Sequence, residues 1–160
     1  MGKIDLLLFE DVRCEPCRQF MEEVFPKIQT HYLNKNEIRF TLVPLAFLEG
    51  SRPLANAALA VYHISPNQFF PYLAKLSLIE QPTEENMLTA AKEVDISELP
   101  TLEQAILQKR YYRELTQNLR WARQFMGTDF STPALFINGL RSSTHFGVIA
   151  KRIDALKGVQ

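Results

Sequence analysis

The stretch that most constrains this chain runs from Ile4 to Phe20. Ile4 to Phe9 is a nearly continuous apolar run of strand length, broken only by Asp5. Such a run suits a central strand covered on both faces. Glu10 to Arg13 reads as a polar turn, after which Cys14-Glu15-Pro16-Cys17 opens a helical pattern. Cys17, Phe20, Met21, Val24 and Ile28 recur at three- and four-residue steps, the spacing of one helix face. Pro16 falls in the first turn, where its missing N–H costs little. Free N–H groups and the helix dipole at that end favour negative charge. A thiol placed there is acidified, and the thiolate is the reactive form. Cys14 is therefore the candidate nucleophile, and Cys17, in the same first turn, the candidate resolving thiol.

Cys14 and Cys17 are the only cysteines in the chain. Other uses of the pair have to be weighed. Two inert, buried cysteines can share a helix by chance. A zinc site needs about four ligands, yet His31, His63 and His145 show no ligand spacing, so no metal is expected. A purely structural bridge gains little, because it closes a very short loop and removes little chain entropy.

A chain of 160 residues, 46% hydrophobic and 22% charged, has the make-up of one globular domain or one domain with an insertion. Lysine plus arginine and aspartate plus glutamate both number 18. No basic excess points to nucleic acid or to an anionic membrane. No segment reaches the roughly 18 uninterrupted apolar residues of a membrane helix, so no membrane insertion is expected. The apolar start is too short for a signal-peptide core and lacks a small-residue cleavage site. As it stands, the sequence implies a cytoplasmic protein. An export signal removed from it would imply a periplasmic or otherwise extracytoplasmic one. A Cys-x-x-Cys pair does not decide the compartment, since it is exchanged rather than permanently bridged.

Beyond the first helix, which should kink at the interior Pro26, Glu37 to Val43 alternates as a second strand that Pro44 should end. Strand, helix and strand at this length predict a right-handed βαβ unit with parallel strands. The middle of the chain carries no strand signal. Helical patterns follow Ser51 and restart at Ser65-Pro66-Asn67. A third follows Thr83-Glu84-Glu85, a cap with acids in the first turn. A long apolar stripe from Leu102 to Met126 is interrupted at Lys109-Arg110, where a bend or break is expected, and Gly127 suits its C-terminal end. The basic residues of that stretch, Lys109, Arg110, Arg113, Arg120 and Arg123, read most simply as a solvated face offset by Glu103 and Glu114. Ala134 to Ile137 is a short apolar strand. Asn138-Gly139 is a strong two-residue hairpin signal, and Leu140 to Thr144 can pair back. Gly147 to Leu156 gives a last amphipathic helix.

The order is βαβ, a block of helices, then ββα. With Cys14-Glu15-Pro16-Cys17 after the first strand and Thr132-Pro133 before the third, the chain resembles the thioredoxin fold, and the helical block resembles that of its DsbA-like branch. The stretches that carry the likeness are Phe9 to Cys17, Val24-Phe25-Pro26-Lys27-Ile28, and Thr132-Pro133-Ala134-Leu135-Phe136-Ile137-Asn138-Gly139. The resemblance implies an α/β thioredoxin-like domain of residues 1–49 and 128–160, with an all-helical domain of residues 50–127 inserted. It also implies that Pro133 follows a cis bond and lies against the cysteine pair. The Thr132 backbone would then pair with an extended substrate chain, by strand addition. Without the resemblance, Thr132-Pro133 is an ordinary turn leading into a strand. Two positions depart from the family pattern. Ser131 stands where a glycine is usual, and Leu8 stands where a buried carboxylate often lies, six residues before Cys14. That acid is thought to move the proton of the resolving cysteine. Its absence leaves Glu10, Glu15 or a water for the task.

The function this implies is thiol-disulfide oxidoreductase. Cys14, Cys17 and Pro133 form the catalytic set, and Thr132, Glu15 and Pro16 meet the substrate. Partners would be protein or peptide thiols and disulfides, plus a redox partner that resets the pair. No cofactor is called for. A glutathione-linked transferase or isomerase on a DsbA-like scaffold commonly has serine at the nucleophile position and no second cysteine, so Cys17 argues against it. A copper-carrying module would use Cys14 and Cys17 as soft ligands for Cu(I), with Met126 or His145 approaching in space. Glu15 opposes a Cys14 thiolate by like charge, Pro16 offers it no N–H, and Arg13 and Arg18 favour it. The pair should therefore be moderately reducing. Its potential should lie between roughly −270 mV and roughly −120 mV, nearer the reducing end.

Overall fold

The computed structural model describes residues 2–158. The chain forms two compact units, one of Met1–Glu10, Cys14–Val43 and Ser131–Gln160, the other of Asp11–Arg13 and Pro44–Phe130.

A four-stranded sheet of order β2-β1-β3-β4 organises the first unit. Its strands are β1 (Ile4–Asp11), β2 (Ile38–Leu45), β3 (Ala134–Ile137) and β4 (Leu140–Ser142). β1 and β3 pair antiparallel, with Leu6 opposite Ile137 and Leu8 opposite Leu135. β3 and β4 also pair antiparallel. Both residues of the intervening Asn138-Gly139 turn have positive φ, 47° and 84°, as a tight two-residue hairpin demands. Leu6, Leu8, Leu135 and Ile137 are essentially inaccessible, which explains the unbroken apolar reading of the two inner strands.

Two strands run further than expected, while β4 stops at Ser142, short of Thr144, and β2 starts at Ile38 rather than Glu37. β1 runs on through Glu10 and Asp11, and both are buried. The Asp11 carboxylate accepts the backbone N–H groups of Phe47 at 2.9 Å and Leu48 at 3.1 Å. It also accepts that of Arg13 at 2.9 Å. A carboxylate with three such donors is satisfied without water. β2 runs past Pro44 to Leu45. It is an edge strand, where a missing N–H removes no ladder bond.

The helix after β1, α1 (residues 15–33), alternates two windings. Glu15–Gln19 and Phe25–Ile28 are α-helical, while Phe20–Val24 and Gln29–Leu33 are π-helical. The kink expected at Pro26 is thus met by a wider turn. The Phe25 N–H reaches back to the Phe20 carbonyl, and Pro26, in the first turn of the following α segment, needs no donor. Tyr32, near the end of α1, donates to Asp154 Oδ1 at 3.0 Å. Burial and that acceptor push the Tyr32 phenol up to about 12.

The second unit is helical. Its members are α2 (Ser51–Ile64), α3 (Phe69–Leu76), α4 (Glu84–Glu93), α5 (Leu99–Leu107) and α6 (Tyr112–Met126). Ala55, Ala57, Ala58 and Ala60 are all buried, so α2 presents small side chains that let neighbours approach closely. Thr83 caps α4, its hydroxyl accepting Asn86 N–H at 3.1 Å, as read from the sequence. The break foreseen at Lys109-Arg110 lies between α5 and α6, with Lys109 at φ 51°. Buried Asn56 fastens it, donating to the Ala105 carbonyl at 3.2 Å and accepting Tyr111 N–H at 2.8 Å. The last helix of the chain, α7 (Phe146–Gly158), belongs to the first unit and turns Ile149 and Ile153 inward.

Candidate functional site

Cys14 is the N-cap of α1. Its backbone is extended, at φ −79° and ψ 115°, while its carbonyl already accepts the first helical bond, from Arg18 N–H at 3.0 Å. Its sulfur occupies the place of a capping oxygen and accepts the Cys17 N–H at 3.3 Å. Glu15 and Pro16 fill the positions between, so the Cys17 amide is the first free donor inside the helix after the proline. Cys14 and Cys17 are joined as a disulfide with Cα atoms 5.2 Å apart. The two sulfurs are not equivalent. Cys17 is 1% exposed and Cys14 7%, so an incoming reagent meets Cys14 more readily.

The segment before β3 closes on the same sulfur from the other side. Thr132 Oγ1 donates to Cys14 Sγ at 3.3 Å. The Thr132 carbonyl oxygen lies 3.6 Å from that sulfur. A disulfide sulfur carries no hydrogen, so only a reduced thiol could donate to this carbonyl. The Thr132-Pro133 bond is cis. Ser131, one residue earlier, accepts a hydrogen bond from Arg141 Nη2 at 2.6 Å.

Beside the pair lies a groove of about 520 Å³. Pro16, Gln19, Phe20, Glu23, Val24 and Lys27 of α1 form one wall, residues 143–147 the other, and Pro133 joins them. Cys14, Cys17, Thr132, Pro133 and Pro16 therefore share one locality within the first unit. Glu15 faces outward and does not line the groove. Its side chain is 61% exposed and ion-paired with Arg18, whose Nε also lies 3.9 Å from Glu22. Arg18 is thus committed to carboxylates, and Arg13 donates to the Glu80 carbonyl at 2.8 Å. Leu8, at the position of the family's usual acid, is fully buried, and buried Glu10 lies on the same strand.

Three features escaped the sequence. The Thr132 side chain, and not only its backbone, meets Cys14, its hydroxyl acting as a donor. Arg141 reaches Ser131. Residues 143–147, read as a strand end, a short link and the start of the last helix, form a groove wall. None has a local signal: the first and third depend on bringing the chain's two ends together, and the second on the pairing of β3 with β4.

A family model described as Thioredoxin matches residues 3–152. The chain is 30% identical over 106 residues to "Disulfide bond formation protein D" of Bacillus subtilis (strain 168). That match takes in 63% of this chain and 48% of the relative, so it spans about half the relative's length. The crystal structure of Chlamydia trachomatis DsbA superposes with a TM-score of 0.88 at 28% identity, over 98% of this chain and 88% of that one. Oxidised BdbD from Bacillus subtilis shares the fold, with a TM-score of 0.83 at 23% identity over 95% and 86% of the two chains.

Proposed function

Because this chain belongs to the thioredoxin family, among its DsbA-like thiol-disulfide oxidoreductases, we propose that Cys14 and Cys17 are its working pair, exchanged with protein thiols and disulfides. The Cys14 thiolate attacks one sulfur of a substrate disulfide. A Cys14–substrate mixed disulfide forms and one substrate thiolate leaves. The Cys17 thiolate then attacks Cys14 Sγ, the second substrate thiolate leaves, and the Cys14–Cys17 bridge remains. Run backwards, the same steps oxidise a substrate dithiol and leave the pair reduced. A separate redox partner resets it.

One observation carries the assignment of the attacker: the more exposed cysteine is also the one whose sulfur has two hydrogen-bond donors, Cys17 N–H and Thr132 Oγ1, each at 3.3 Å. On reduction these donors face a thiolate, and hydrogen bonds to a charged acceptor are stronger than those to a neutral one. Pro133 and Pro16 shape the approach. The Thr132 backbone offers strand-like pairing to an extended substrate, and Glu15 stands at the rim.

The donor from Thr132 and the pairing of Glu15 with Arg18 also bear on poise. Both favour the reduced form more than the Glu15-Pro16 dipeptide alone implies. The pair should therefore fall between the roughly −270 mV and roughly −120 mV limits, less strongly reducing than those two residues suggest. Kinship with DsbA-like proteins supports an extracytoplasmic setting, where protein disulfides persist. No helix among the described residues is long and apolar enough to cross a membrane.

The test is oxidation of a reduced, unfolded disulfide protein in a glutathione buffer. The wild type should accelerate bridge formation, and Cys14→Ala should not exceed the uncatalysed rate. Equal rates with and without wild-type protein would reject the proposal.

A further inference from the structure

We infer that Arg141 is a positioning residue for the Cys14 sulfur, acting through Ser131 and Thr132; this rests on the proposed role of Cys14 as the attacking thiolate. The sheet register sets Arg141 directly opposite Phe136. Its guanidinium carbon lies 5.8 Å from the centre of the Phe136 ring. That ring is buried and meets Phe9 edge-on at 5.9 Å. A long, flexible side chain thereby gains a rigid platform for its stem and a favourable ring face for its charge.

From that platform Nη2 donates to Ser131 Oγ at 2.6 Å. A guanidinium has no acceptor and stays charged, so the bond has one polarity and is charge-assisted. Ser131 is covalently joined to Thr132, whose hydroxyl donates to Cys14 Sγ at 3.3 Å. A cation held on the sheet thus fastens the residue next to the donor. A glycine at 131 would lack the hydroxyl that Arg141 holds. Without the tether, the segment samples orientations in which the Thr132 hydroxyl leaves the sulfur, and the thiolate is stabilised for less of the time. Ser131 and Arg141 are both exposed, so the effect is modest.

The test is thiolate absorbance against pH on the fully reduced protein, for wild type, Ser131→Ala, Arg141→Ala and the double variant. Each single change should raise the Cys14 pKa by about 0.3–0.5 unit, a roughly two- to threefold loss of thiolate where the group titrates. The double variant should lose no more than either single one, and both changes should be silent in Thr132→Val. An unchanged titration in Ser131→Ala, or additive shifts in the double variant, would overturn the inference. Arg141 would then act by charge through space or not at all. Ser131→Ala keeps the test sound even if Arg141→Ala disturbs the hairpin. All proteins are also assayed for exchange. Wild type that fails to exchange rejects the proposed function, whereas active wild type with unshifted variants rejects only the positioning role.

Discussion

The Cys14 sulfur is approached from two regions that are built differently. On the helix side the donor is a backbone amide, Cys17 N–H. It exists because residue 14 caps a helix, and no side-chain replacement at 17 other than proline removes it. On the loop side the donor is a side-chain hydroxyl, Thr132 Oγ1, contributed from 118 positions away. One substitution deletes it. The helix side therefore supplies what any thiol at a helix start receives, and the loop side supplies what can be adjusted. Reactivity in this chain should be set by the first and tuned by the second.

The largest effect is expected at the loop side. Thr132→Val keeps shape and removes the hydroxyl. Hydrogen bonds to charged groups contribute about 1.5–3 kcal/mol, and partial exposure reduces that here. The Cys14 pKa should rise by about one unit, a tenfold change in thiolate ratio near the midpoint. The pair should become more reducing. Thr132→Ser should restore most of the shift. Titration by thiolate absorbance and equilibration with glutathione measure both, and a Thr132→Val protein indistinguishable from wild type would break the comparison.

A smaller effect belongs to the helix rim. Glu15 is a like charge near the developing thiolate, but it is paired with Arg18 and mostly exposed. Exposed pairs are screened and weak. Glu15→Gln should lower the Cys14 pKa by less than about half a unit, and the shift should fade in high salt. A shift larger than that of Thr132→Val would reverse the ranking of the two sides.

The smallest effect lies away from the sulfur and serves as a control. The hydrogen bond from Arg39 holds the Asp5 carboxyl below its ordinary 3.8. A carboxyl depressed in the folded state stabilises the protein above its unfolded value. That contribution disappears as pH falls through the folded one. Asp5→Asn should thus flatten a slight loss of stability below about pH 4, seen in denaturant midpoints, and leave the Cys14 titration untouched. Movement of that titration would show a coupling that the two-sided picture lacks.

Legibility followed the same division. The inner strands, the capped Cys14, the Asn138-Gly139 turn and the break at Lys109 were readable because each is set by a few adjacent residues. Pro44 was misread as a strand end because its tolerance depends on β2 lying at the sheet edge. Glu10 and Asp11 looked like turn residues because charge normally marks solvent. Asp11 is instead buried, accepting amides from residues 47 and 48. The wide turns around Pro26 followed from how a helix absorbs a missing donor, which sequence flags only as a kink. The resemblance implied Pro133 against the cysteine pair and a substrate-pairing role for the Thr132 backbone. The direction of its hydroxyl, and the reach of Arg141 to Ser131, required the register of β3 and β4.

The most direct measurement of the central claim, that Cys14 attacks and Cys17 resolves, is capture of mixed disulfides. Cys17→Ala and Cys14→Ala proteins are each mixed with an oxidised peptide carrying one disulfide and resolved on non-reducing gels. With the more exposed cysteine, whose sulfur has two donors, as the attacker, Cys17→Ala should accumulate a stable peptide adduct at Cys14. Cys14→Ala, left with a cysteine that is 1% exposed, should accumulate almost none. Equal adducts on both variants, or a dominant adduct on Cys14→Ala, would contradict the account.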